Sequence, residues 1–86
     1  MIDLPADYNT IYRIYFIAED ATGPPRRVIK VRHFDGSILS FEAEAECAQF
    51  LRWLSDHNRR AVAELESLLH ATGRTNAEVI VWSNEE

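Results

Sequence analysis

At Ala43 the apolar residues stop recurring at every second position and take up the three-and-four spacing of a helix. No other feature constrains the fold as much. Before it the chain reads as strands. After it come two helical stripes and one last strand, which places both element types in an α+β fold.

The strands are read from alternation. Residues 11–18 are rich in β-branched and aromatic side chains, which suit a pleated surface. Tyr12, Ile14 and Phe16 share one face, and Ile11, Arg13, Tyr15 and Ile17 the other. Both faces are largely apolar, so this strand is expected at the centre of the sheet. Thr22-Gly23-Pro24-Pro25 marks a loop. In residues 26–33, Ile29, Val31 and His33 alternate with Val28, Lys30 and Arg32.

Asp35-Gly36 signals a hairpin. A two-residue turn would set His33 opposite Ile38. A three-residue loop of Phe34, Asp35 and a left-handed Gly36 would set Val31 opposite Leu39 and Ile29 opposite Phe41. The second register gathers four apolar residues on one face. Because a slip of one residue reverses every side chain, it is the expected one.

Ala43, Cys47, Phe50, Leu51 and Leu54 form the first helical stripe, with Glu42, Glu44 and Glu46 near its N-terminus, where they favour the helix dipole. Ala61, Leu65, Leu68, Leu69 and Thr72 form the second, and Gly73 is its natural stop. The intervening Ser55-Asp56-His57-Asn58 are poor helix formers. Two helices are expected, with Asp56 or Asn58 near a cap. The alternative is one bent helix roughly 45 Å long at 1.5 Å per residue, which would imply a dimer. Residues 77–82 read as the final strand, with Val79 and Val81 on one side and Glu78, Ile80 and Trp82 on the other. The order is β-β-β-α-α-β: an antiparallel meander of three strands, two helices on one face and a C-terminal fourth strand, all within one domain covering residues 1–86.

Charge and composition exclude several classes of function. The 86 residues carry a net charge of −5, which disfavours nucleic-acid binding through displaced counterions. Arg26, Arg27, Lys30 and Arg32 are nevertheless clustered. The longest apolar runs are too short to span a membrane. The start lacks the pattern of a signal peptide, and the single Cys47 permits no internal disulfide, so a cytoplasmic location is expected.

No chemistry-bearing motif stands out. His33, His57 and His70 show no metal-ligand spacing, and glycines 23, 36 and 73 form no phosphate cradle. His33 and Asp35 read as hairpin-tip residues rather than an acid–base pair, and Cys47 as a small buried hydrophobe. Glu42, Glu44 and Glu46 do not share a helix face. No cofactor and no catalytic residue are therefore expected.

What remains is surplus apolar surface. With the helices on the Ile29/Val31/Leu39/Phe41 face, the opposite face would hold Val28 and Ile38, with Ile11, Tyr15 and Ile17 from the first strand and Ile80 and Trp82 from the last. Arg13, Lys30 and Arg32 would interrupt or rim it. Such patches mark protein contacts, and aromatics and arginine carry them. Tyr15, Ile17, Lys30, Arg32, Ile80 and Trp82, with a half-exposed Trp53, are the expected partner-binding residues. The competing expectation is that Leu4, Tyr8 and their neighbours fold over this face.

The meander with its Asp-Gly turn, then an acidic-started helix with Phe50-Leu51-x-Trp53-Leu54 and a second helix, resembles the layout of small acidic phage anti-CRISPR proteins over residues 26–69. The resemblance is one of element order and charge. It implies a non-enzymatic inhibitor that binds a CRISPR effector complex. A homodimeric protein of a mobile element is the alternative.

Overall fold

The computed structural model describes residues 4–19, 26–70 and 77–84. It contains a 3-10 turn at Tyr8–Thr10, strands β1 (Ile11–Glu19), β2 (Arg26–His33) and β3 (Ile38–Phe41), helices α1 (Glu44–Ser55) and α2 (Arg59–Leu69), and strand β4 (Ala77–Ser83). The sheet is antiparallel in the order β3-β2-β1-β4. The expected β-β-β-α-α-β order and α+β class are what the structure shows. The expected loop at 22–25, and Thr72 and Gly73, lie outside the described residues.

The hairpin adopts the three-residue register: Ile29 pairs with Phe41 and Val31 with Leu39. Gly36 has φ of +91°, a conformation that costs glycine little. Asp35 fastens the turn by accepting the Ser37 amide at 2.8 Å. His33 Nδ1 lies 3.2 Å from the Ser37 carbonyl. Both side chains thus serve the turn.

One face of the sheet is covered by the helices. Ile14, Phe16, Ile29, Val31 and Phe41 from the sheet meet Cys47, Phe50, Leu54, Ala61 and Leu65 from the helices in a single core. Phe41 and Phe50 stack at 4.8 Å between ring centres. Burying such a side chain contributes about 1.5–3 kcal/mol. The Cys47 thiol sits in this core, donates to the Phe41 carbonyl at 3.4 Å, and is held above its ordinary pKa by burial and then by Glu46 and Glu44. That is the opposite of an activated nucleophile.

Two helices form rather than one. Asp56 closes α1 at its C-cap, and Asn58 caps α2, its side-chain oxygen accepting the Ala61 amide at 3.0 Å. Ala43 departs from its expected place in the apolar stripe. It is exposed and sits at the N-cap of α1 with an extended backbone. Having no side-chain acceptor, it leaves the capping to Glu46, which accepts the Glu42 and Ala43 amides at 3.4 Å each. Among the described residues, no helix is long and apolar enough to cross a membrane.

Candidate functional site

Strand alternation assigns Arg13, Tyr15, Ile17, Val28, Lys30, Arg32, Ile38, Ser40, Glu78 and Ile80 to the face away from the helices. The register confirms their proximity. Tyr15 pairs with Lys30 on one side and Ile80 on the other, Arg13 with Arg32, and Ile17 with Val28 and Glu78. Ile38 and Ile80 are 56% and 51% exposed, while Tyr15, Ile17 and Lys30 are half-buried.

Two β-bulges make this face less apolar than the sequence suggests. In β1 the pairing with β2 passes from Ile11–His33 to Arg13–Arg32, leaving Tyr12 as the extra residue. In β4 the pairing with β1 passes from Ile14–Trp82 to Tyr15–Ile80, leaving Val81 as the extra residue. An extra residue inverts the alternation beyond it. Ile11 and Trp82, expected on the outer face, therefore turn toward the helices, where Ile11 is wholly buried and Trp82 packs against the core. Val28 keeps its outer register but is only 3% exposed, so it adds no free apolar surface.

Trp53 joins Trp82 on the helical side. Tyr8 lies 6.4 Å from Trp53, 5.3 Å from Trp82 and 5.1 Å from His57, stacked nearly parallel to the imidazole. Asn58 donates to the Tyr8 hydroxyl at 3.0 Å. Tyr8 thus folds onto the helical side, not onto the outer face. The seven expected partner-binding residues divide accordingly. Tyr15, Ile17, Lys30, Arg32 and Ile80 are brought together, while Trp53 and Trp82 belong to the cluster that anchors Tyr8.

The electrostatics of the outer face centre on Tyr15. Arg13 and Arg32 stand directly opposite each other, and like charges in such a pair oppose folding. The Tyr15 phenol relieves this. Hydrogen bonding from Arg13 pulls it below its ordinary pKa and partial burial opposes the shift; Arg32 adds a second hydrogen bond. The same contact raises Arg13. Arg13 also donates to Ser83 at 3.3 Å and lies over the Tyr12 ring at 4.8 Å. Neither Lys30 nor Arg32 forms an ion pair with a carboxylate among the described residues. At the other end of the face, Arg26 is paired with Glu42 at 2.8 Å and with Glu19 at 3.5 Å. The sequence led to the expectation that Arg13, Lys30 and Arg32 interrupt or rim the apolar patch, and the register sets Arg13 opposite Arg32 at one end of it.

A groove of about 580 Å³ lies between α2 and β4, lined by Asn58, Arg60, Ala61, Glu64, Val81, Trp82 and Ser83. Two of its polar groups are already engaged: Asn58 caps α2 and Ser83 accepts from Arg13. Among the described residues, no group of three or more His, Cys, Asp or Glu is placed to hold a metal ion.

No protein-family model, curated protein or solved structure matches the chain.

Proposed function

We propose that the chain is a small, non-enzymatic protein-binding module that works through the outer face of its sheet. Its most concrete form is a cytoplasmic, phage-type inhibitor of the anti-CRISPR kind, which binds a bacterial nuclease complex and occludes it sterically. One observation carries the reading. Arg13 and Arg32 are set against each other across the ladder, held by Tyr15, beside two isoleucines more than half exposed. Like charges opposite each other and bare apolar side chains both disfavour the isolated fold. Together they are the residue types that anchor protein interfaces.

The test is capture from a bacterial lysate by the immobilised chain, compared with Ile80→Asp and Arg32→Glu. A protein retained by the wild type and lost from both variants supports the reading. Equal retention by all three overturns it. The inhibitor form is tested by phage plating on a host with active CRISPR immunity. Expression of the chain is expected to restore plaques, and unchanged plating across CRISPR types overturns that form.

A further inference from the structure

We infer that the outer face takes an acidic segment of a partner protein, seating one carboxylate against Lys30 and a second against Arg32. The inference rests on reading this face as a protein-binding surface and names the chemistry of its occupant.

Lys30 and Arg32 lie two positions apart on β2, so both belong to the outer face. Among the described residues neither forms an ion pair with a carboxylate, although the chain as a whole is acidic, at −5. The nearby acids are placed elsewhere. Glu19 and Glu42 are paired with Arg26 toward the other end of the strands. Glu78 stands opposite Ile17 on β4, with β1 between it and β2. Arg32 gives a hydrogen bond to the Tyr15 phenol, and a guanidinium has five donors, so it keeps others for a carboxylate. Arg13 is engaged by Tyr15, Ser83 and the Tyr12 ring. Its charge adds to the local field from directly opposite Arg32, but the two seats are Lys30 and Arg32.

Spacing sets the form of the occupant. At about 3.3 Å per residue, alternate positions on a strand are about 6.6 Å apart. An extended segment with acidic residues at alternate positions matches that interval. Ile38 stands opposite Arg32 on β3, and Ile80 opposite Tyr15 on β4. Both are more than half exposed. Apolar side chains of the partner laid on them exclude water from the charged contacts, which strengthens those contacts. A basic segment would meet like charge. A nucleic-acid strand needs cations that continue along its phosphates. On β2 the run ends at Lys30: Val28 is buried, and Arg26 is already paired with Glu19 and Glu42. A short acidic segment needs only the two seats.

Backbone amide NMR of the full chain, titrated with an octapeptide of alternating glutamate and threonine, tests it, because such spectra register weak binding and show where it occurs. The expected result is saturable shifts at Tyr15, Lys30 and Arg32 that shrink as salt is added and are absent when glutamine replaces glutamate in the peptide. Lys30→Gln and Arg32→Gln should each weaken binding about threefold, and the two together about tenfold. The spectra without peptide confirm that each variant is folded. The inference is overturned by an absence of shifts at these residues, by equal shifts with the glutamine peptide, or by undiminished affinity in the double variant. An eight-nucleotide thymidylate that saturates the same residues at lower concentration than the acidic peptide overturns it in favour of nucleic acid. The two readings fail separately. A protein captured by the wild type, lost from Ile80→Asp and kept by the Lys30→Gln/Arg32→Gln variant leaves the face as the binding surface and overturns the acidic occupant. Peptide binding that follows the variants, with no protein captured, keeps the carboxylate seats and removes the inhibitor.

Discussion

The two faces of the sheet are built from the same strands and solve opposite problems. On the helical face every large side chain has a neighbour: Ile14, Ile29, Val31, Phe50, Leu54 and Leu65 are fully buried. On the outer face the strands carry arginines opposite each other, a lysine beside a phenol, and isoleucines more than half exposed. The first arrangement lowers the energy of the isolated chain. The second sets like charges opposite each other, which opposes folding. Burial is thus divided unequally between the two sides of one sheet.

That division can be broken by substitution. Phe50→Ala should cost about 3–5 kcal/mol in urea unfolding, whereas Ile80→Ser should change stability by no more than about 0.5 kcal/mol. Comparable losses at the two sites would mean that the outer face is also part of the core. Trp82→Ala sharpens the same contrast. With Trp82 among Tyr8 and the core, the loss should be about 2–3 kcal/mol; an outward-facing tryptophan would lose far less. Asn58→Ala comes next, at about 1–2 kcal/mol, because the same amide caps α2 and holds the Tyr8 hydroxyl.

The smallest effect concerns Tyr15. Its phenol is depressed in the folded state, so its contribution to stability is fully present above the unfolded phenol pKa and is lost as pH falls through the folded value. The stability difference between wild type and Tyr15→Phe should therefore grow as pH rises toward about 10. An ultraviolet titration should show a phenolate step below the ordinary range that Tyr15→Phe removes. A profile identical in wild type and variant would mean that Arg13 and Arg32 do not hold the phenol.

The hairpin register was readable because two independent signals agreed: Gly36 after Asp35 admits a left-handed turn, and only one register gathered Ile29, Val31, Leu39 and Phe41. The helix break was readable from Asp56-His57-Asn58. The bulges were not. A bulge is a mismatch between two strands, and nothing local to Tyr12 or Val81 reveals that the partner lacks a matching residue. Strict alternation therefore sent Ile11 and Trp82 to the wrong face, although it placed Tyr15, Ile17, Lys30, Arg32 and Ile80 correctly. Ala43 was misplaced for a related reason. Its spacing fits the stripe, but it stands at the helix start, before helical geometry begins.

The strand order has a consequence for how the chain reaches this state. β1 is one of the two interior strands, yet one of its two neighbours, β4, comes from the far end of the sequence, Arg13 pairing with Ser83. The β1–β2–β3 meander can assemble from near neighbours. The second edge of β1 must wait for a long-range closure, which is slower than local pairing. Until it happens, a strand rich in isoleucine and tyrosine presents bare amides and carbonyls, the state most open to mispairing with another chain. Conditions that delay β4 docking should therefore favour aggregation during refolding before they alter the finished molecule.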